Sequence, residues 1–203
     1  MVIDGTRYGM FLLLLTGLPL LLAARPILQI WVGPVYAERA AILLRLLVIA
    51  NVLRLSATPY IVTLIGTGQQ RLVVLAPVLE GATNLSISLL AGYYWGAVGV
   101  AFGTLCGAIV GVAGNFLYNM RRTTEVQFSI REYVLESLLR PILCVVPLGL
   151  ALLAQTNMSD PPVTVRVLLM LLGGTVTACC FWRWGLIGTD RQRILGLSRL
   201  SSL

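Results

Sequence analysis

Long apolar runs, separated by short polar segments, extend along almost the whole chain. A helix needs about 20 apolar residues to cross the hydrocarbon core of a membrane. Six segments reach or approach that length, at residues 8–24, 40–65, 72–94, 96–119, 141–155 and 163–184. Pro59 and Pro77 predict bends in the second and third of them. The pattern predicts an all-α integral membrane protein with a bundle of about six transmembrane helices.

The connection between the fourth and fifth runs, residues 121–140, has an amphipathic pattern. Ser129 and Glu132 have the S-x-x-E spacing of a capping box, which predicts the start of a helix. One face of that helix would carry Val126, Ile130, Val134 and Leu138. We expect an interfacial amphipathic helix on the inner leaflet, with its basic ends near anionic lipid. A soluble linker that packs on the protein itself is the alternative.

These patterns divide the chain into four parts. Residues 1–120 form a four-helix part, and 121–140 form the cytoplasmic interfacial helix. Residues 141–184 add two transmembrane helices, and 185–203 form a basic cytoplasmic tail.

The first apolar run has some features of a signal peptide, since it follows Arg7 and ends in small residues. Arg25 and Pro26 would follow the cleavage site, where proline is poorly placed, so we expect a retained helix. The next stretch, RPILQIWVGPVY, is expected to follow the membrane interface, with Trp31 and Tyr36 at headgroup depth.

Composition agrees with this class of protein. Of the 203 residues, 58% are hydrophobic and 11% are charged, whereas soluble domains carry about 25% charged residues. All 15 basic residues are arginines, against 8 acidic residues. The arginines lie mostly between apolar runs, so membrane topology explains the basic balance better than nucleic-acid binding does.

The arginines also predict the orientation. With a cytoplasmic N-terminus, ten of them fall on inner segments and three on or near the outer side. The inner set is Arg7, Arg71, Arg121, Arg122, Arg131, Arg140, Arg183, Arg191, Arg193 and Arg199; the outer set is Arg25, Arg39 and Arg166. The positive-inside rule then places both termini in the cytoplasm. We expect a multi-pass protein of the inner (plasma) membrane.

Two arginines, Arg45 and Arg54, lie inside the second apolar run. They are nine residues apart and so face opposite ways on a helix. Arg45 is close enough to the outer end to extend toward water, whereas Arg54 is near mid-helix. Asn51, Arg54 and Thr58 form a polar stripe at spacing i, i+3, i+7. Such a stripe on a spanning helix faces protein or water.

The third run carries a second stripe, Glu80, Asn84 and Ser88, at spacing i, i+4, i+8. The second and third runs are expected to be antiparallel neighbours. Glu80 and Arg54 differ in depth by only about 5 Å at 1.5 Å per residue, so they could pair. One interpretation is a purely structural buried ion pair. The other is a polar cavity wall, formed by Arg54, Asn51, Glu80 and Asn84 with Arg45 as a weaker second cation, that handles a charged substrate or a proton.

The fourth run repeats glycine every fourth residue, at Gly99, Gly103, Gly107 and Gly111. Four small residues in this register give a smooth face on which another helix can approach closely. We expect a packing surface that would also permit helices to slide.

Motifs for enzyme catalysis are missing. The chain has no histidine, GxSxG or Walker sequence, and Cys106, Cys144, Cys179 and Cys180 lie in apolar segments without CxxC spacing. We therefore expect no catalytic site, no metal and no cofactor.

The order of several short patterns resembles a known family. The stretches LPLLLAARPILQIWVGPVYAERAAILLRLL and PYIVTLIGTGQQRLVVLAPVLEGATNLSISLLAGYYWGAVGVAFGT are similar to the C-terminal part of polysaccharide-exporting flippases. These belong to the multidrug/oligosaccharidyl-lipid/polysaccharide superfamily. The resemblance covers residues 8–120 and implies two helical bundles that face each other across a V-shaped cavity with alternating access.

The resemblance implies transport of an undecaprenyl-pyrophosphate-linked oligosaccharide across the membrane. Its anionic pyrophosphate would meet Arg54, because a guanidinium binds phosphate in a bidentate way. Six helices correspond to the last part of a longer transporter, so we expect a missing N-terminal lobe or a second subunit as partner, besides membrane lipids. A drug or cation antiporter on the same fold and a non-transporting assembly partner are the alternatives.

Overall fold

The computed structural model describes residues 2–123, 129–158 and 162–185. Within these ranges the regular elements are helices, and no strand is present. Six of the helices are long and apolar enough to cross a membrane. The prediction of an all-helical chain with six candidate membrane spans is confirmed.

We number the helices α1 to α7 and count a helix with a short interruption or a π-helical turn as one element. They are α1 (Val2–Leu22), α2 (Ala24–Val32), α3 (Pro34–Ser56 and Thr58–Gly66), α4 (Gln70–Val73 and Leu75–Trp95), α5 (Ala97–Gly114, Asn115–Asn119 and Met120–Arg122), α6 (Ile130–Tyr133, Val134–Leu139 and Arg140–Asn157) and α7 (Val163–Cys180 and Phe181–Gly185). The candidate spans are all of these except the short α2.

Proline explains two interruptions. α3 breaks at Ala57, just before Pro59, and α4 breaks at Val74, just before Pro77. A proline has no N–H, and its ring crowds the carbonyl four residues back, so the helix loses regular hydrogen bonding in the preceding turn.

A glycine turn folds α5 directly back on α4. Gly96 is the single residue between the two helices and has φ of 59°. Residues with a side chain rarely adopt this conformation, whereas glycine does so without steric cost. The tight turn brings the start of α5 against the end of α4, which is the beginning of their long contact.

The helices pack in the order α4, α5, α3, α1, α6, α7, and α2 lies on α3. α4 and α7 are therefore the two edges. Only 11% of the most apolar stretch of each edge helix is buried, against 28–33% in the four inner spans. Edge side chains such as Leu89 and Leu171 are exposed. Faces of this kind are suited to lipid or to another protein.

α1 begins earlier than the apolar run starting at residue 8 suggested. It includes Arg7, whose side chain is only 2% exposed and whose Nη2 lies 2.5 Å from Asp4 Oδ1. Arg7 Nη1 also donates to the carbonyl of Gly185, at 3.3 Å. The expectation that Arg7 lies in a segment outside the helix is wrong, because the carboxylate one turn earlier compensates its charge and keeps the helix intact.

Residues 130–139 differ from the expected separate interfacial helix. They begin α6, which continues through Arg140 to Asn157, after the Ser129 hydroxyl caps Glu132 N–H at 3.0 Å. The buried side chains are Tyr133 and Ser137. Val134, on the apolar face expected to contact the inner leaflet, is exposed and so available to lipid. Tyr133 is buried because it binds groups on α1 and α3, which a local pattern cannot reveal.

Residues 124–128, with Val126, and the tail beyond Gly185 lie outside the described residues. The stretch after α1 forms the short helix α2, with Ala24 and Leu28 buried. Trp31 and Tyr36 are both exposed. Their rings are therefore available to a membrane interface.

Candidate functional site

An ion pair at mid-span joins α3 to α4. Arg54 Nε donates to Glu80 Oε1 at 2.7 Å. Arg54 is twelve residues from the end of α3 at Gly66, and Glu80 is ten residues from the start of α4 at Gln70. These separations are about 18 and 15 Å along the helices, so both groups lie well inside the spans.

The two partners differ in exposure. The Arg54 side chain is 46% exposed, and the Glu80 side chain is 18% exposed. Glu80 is therefore held in the packing between helices, while much of the guanidinium extends beyond it. The pair can present positive charge to a group outside the helix row while its negative partner remains covered.

α5 packs against both α3 and α4, so the ion pair connects two helices that lie on either side of α5. A Cβ atom added at Gly111 would overlap the Glu80 carboxylate. One added at Gly107 would lie 2.9 Å from the Glu80 carbonyl oxygen and from Asn84 Cβ. Glycine at these positions leaves the space that the Glu80 side chain occupies on its way to Arg54.

The same close approach continues along both helices. Gly99, Gly103, Gly107 and Gly111 are all buried. They face, in turn, Ala91, Ser88, Asn84 and Glu80 of α4. The glycines repeat every four residues and their partners every three or four, so a row of small residues on α5 meets the face of α4 that carries its polar stripe.

The other predicted polar residues lie around the ion pair in different ways. Asn84, one turn beyond Glu80, accepts a hydrogen bond from Ser88 Oγ at 2.9 Å. Asn51 is exposed, about one turn before Arg54 on α3. The structure thus joins Arg54 directly to Glu80, with Asn84 and Asn51 as their neighbours on α4 and α3.

Arg45 belongs to a different place. Its Nε donates to the carbonyl of Leu21 at the end of α1, at 3.1 Å. It lines a cavity of about 670 Å³ together with Arg25 and Arg166. In the sequence, Arg25 and Arg166 indicated only the orientation of the chain. Their common cavity could not be predicted, because it depends on how α2, α3 and α7 pack in the folded protein.

A buried polar cluster near the N-terminus of α1 was also missed. Tyr133 Oη donates to the carbonyl of Ser56 at 2.7 Å and lies 3.0 Å from Thr6 Oγ1. These bonds tie α6 to both α3 and α1. No short motif predicts them, since Thr6 and Tyr133 are 127 residues apart. These hydrogen bonds between neutral groups are suited to holding the three helices together.

The described residues contain no group of three His, Cys, Asp or Glu side chains that could hold a metal ion. The four cysteines are free thiols, and Cys144 is packed in the apolar cluster between α1 and α6.

Comparison with known proteins finds no matching family model, no similar curated protein and no similar solved structure. The flippase resemblance remains a prediction from the sequence.

Proposed function

We propose that this chain is a membrane transporter, or the C-terminal lobe of one, that moves an oligosaccharide linked to a lipid pyrophosphate across the membrane. The observation that carries the proposal is the half-exposed Arg54 guanidinium at mid-span, held by the covered Glu80 carboxylate. The resemblance to polysaccharide flippases supports the same substrate class.

The free-energy cost of placing a charge in a bilayer favours polar surroundings for Arg54. An arginine at the centre of a bilayer costs about 2.5–3.5 kcal/mol on insertion scales. Glu80 offsets part of this cost, but 46% of the Arg54 side chain stays exposed beside the pair. Charged side chains within spans almost always face the bundle interior or a water-filled cavity. The exposed side of the guanidinium is therefore suited to water or another polar surface, as in a transport cavity.

The charge of the site favours an anion. A cation antiporter needs an acidic group that is accessible to its substrate, whereas Glu80 is largely covered and bound to Arg54. The exposed member of the pair is the guanidinium, which can take a phosphate in two parallel hydrogen bonds. A pyrophosphate fits this donor geometry better than a drug cation does.

The open edges of the helix row support a partner. α4 and α7 leave most of their apolar stretches unburied. A second lobe, or a second subunit, placed against the face that carries Arg54 would complete a cavity between two bundles. In this arrangement the chain is a multi-pass protein of the inner (plasma) membrane with cytoplasmic termini, in accordance with its arginine distribution.

Export of surface polysaccharide in the native host, with variants replacing the resident copy, tests the proposal. We expect Arg54→Ala to abolish export and Arg54→Lys to retain part of it, because lysine keeps the charge but loses the bidentate geometry. Arg39→Ala removes an exposed arginine near the start of α3 and should export normally. Normal export by a membrane-inserted Arg54→Ala variant would refute the assigned role.

A charge swap separates transport from mere structural pairing. Arg54→Glu combined with Glu80→Arg should recover the unfolding midpoint lost in either single variant. It should not recover export, since the anion would then meet a carboxylate on the exposed side. Recovery of both export and the unfolding midpoint would mean that the pair has only a structural role.

Two further sets of variants in the same host distinguish the alternatives. Loss of drug resistance in Glu80→Gln, with export unchanged, would indicate a cation antiporter. Normal export by Arg54→Ala, with loss of a co-purifying partner in bulky Gly103 variants, would indicate an assembly protein.

A further inference from the structure

A cavity lies near the end of α1, at the opposite end of that helix from the buried Arg7. It is bounded by the break between α1 and α2, by Arg45 of α3, by the end of α6 and by the start of α7. Its volume is about 670 Å³. Binding sites for small molecules have volumes of about 300–1,000 Å³. The cavity is therefore large enough for a lipid headgroup.

Three of the lining residues are arginines, Arg25, Arg45 and Arg166, and they come from three different helices. No lysine or histidine occurs in the chain, so every cation in this cavity is a guanidinium. Guanidinium groups bind phosphate through two parallel N–H···O bonds. Three such groups around one space form a site for a multiply charged oxyanion.

The contacts of Arg25 and Arg45 leave room for a ligand. Arg25 Nη2 pairs with Glu38 Oε1 at 2.6 Å, and both side chains are more than half exposed. Exposed ion pairs of this kind are weak, so an incoming phosphate can replace the carboxylate. The bond from Arg45 Nε to the Leu21 carbonyl uses one of its five N–H groups and fixes the direction of the side chain.

The remaining wall is mainly apolar. It includes Leu21, Leu22, Leu152, Leu153 and Met170. A free phosphate ion makes no use of such a surface, whereas the first part of a lipid chain does. The combination of three guanidiniums with a leucine-rich wall is complementary to an amphiphile with an anionic head.

We propose that this cavity binds the phosphate of an anionic lipid, with the guanidiniums on the phosphate and the leucines along the chain. The site is separate from the Arg54–Glu80 pair, since Arg54 does not line it. The inference goes beyond the proposed function and does not depend on transport.

Native mass spectrometry of the purified full chain in detergent tests the site. The probes are phosphatidic acid, phosphatidylcholine as the lipid without net charge, and inorganic phosphate as the free ion. We expect Arg45→Gln to weaken phosphatidic acid binding about tenfold, the effect of losing one charge-assisted hydrogen bond. Combined replacement of Arg25, Arg45 and Arg166 by glutamine should remove selectivity over phosphatidylcholine.

A matched triple variant controls for net charge. Arg39, Arg71 and Arg121 are exposed and do not line the cavity. Their joint replacement by glutamine removes the same charge and should leave binding near the wild-type level. Circular dichroism and gel filtration check that each variant is folded. If the cavity triple variant does not fold, phosphatidic acid binding is compared between the single variants Arg45→Gln and Arg39→Gln, and only Arg45→Gln should weaken it.

Three outcomes would overturn the inference. Equal losses in the cavity and control variants would mean unspecific charge attraction. Unchanged binding in both would mean that the lipid binds elsewhere. Inorganic phosphate that binds as tightly as phosphatidic acid would identify the ligand as the free ion and exclude the lipid.

Discussion

Gly103 provides the sharpest test of the close packing between α4 and α5. A Cβ atom at this position would lie 2.6 Å from the backbone nitrogen of Ser88 and 2.9 Å from its Cα. Both atoms belong to the backbone of α4, so no change of rotamer can relieve the overlap. Gly103→Ala must push the two helices apart or tilt one of them.

The size of the effect follows from two opposing contributions. Insertion of a methyl group into a packed interface costs about 1–3 kcal/mol. Alanine regains about 0.8–1.0 kcal/mol of helix propensity over glycine. Gly81→Ala on α4 gains the same propensity, but no atom lies within 4 Å of its Cβ position. The difference between the two variants isolates the packing cost, which we expect to be about 1–3 kcal/mol.

The assay is unfolding of the purified chain in mixed micelles, followed by circular dichroism as the fraction of denaturing detergent increases. Gly103→Ala should unfold at a lower fraction than the wild type. Gly81→Ala should unfold at the wild-type fraction or a higher one.

Equal midpoints for the two alanine variants would refute the close approach of α5 to α4. A loss of stability in Gly81→Ala alone would also contradict it, because that position has free space. Either result would mean that the glycine repeat does not form the contact surface.

Two further predictions concern polar contacts. Gly111→Ala should push the Glu80 carboxylate away from Arg54 and reduce their coupling free energy from about 0.5 kcal/mol to near zero in a double-mutant cycle. A coupling that persists would contradict the spacing role of this glycine. Tyr133→Phe should lower the free energy of unfolding by about 1–3 kcal/mol, because the Ser56 carbonyl loses its buried donor. An unchanged unfolding midpoint would show that water replaces the phenol.

Most of the helical fold could be predicted because it depends on local properties. An apolar run of sufficient length predicts a helix that is long enough to span a membrane, and the prolines before which α3 and α4 break are visible in the sequence. The start of α1 was misplaced because Asp4 and Arg7 look like solvent-exposed charges. Their pairing is local, but the buried Arg7 side chain also contacts the Gly185 carbonyl, at the far end of the described chain.

The polar site was harder to predict from the sequence. Helical spacing places Arg54 and Glu80 at similar depth, and the structure has them in contact. Sequence order suggested that α3 and α4 are direct neighbours, whereas α5 packs between them. Gly111 leaves space for the Glu80 carboxylate, and this role can be seen only when the position of α5 is known.

The position of α3 within the row explains why the chain has two separate cationic sites. α3 packs between α5 and α1, and its arginines are nine residues apart, which is about 180° around the helix and about 14 Å along it. Arg54 therefore extends toward α4 beyond α5, and Arg45 extends toward the end of α1. Residues this far apart without shared partners act independently, so substitutions at Arg45 and Arg54 should have additive effects on stability. One helix can thus supply both proposed sites, the mid-span anion site and the lipid-phosphate site, without coupling their geometries.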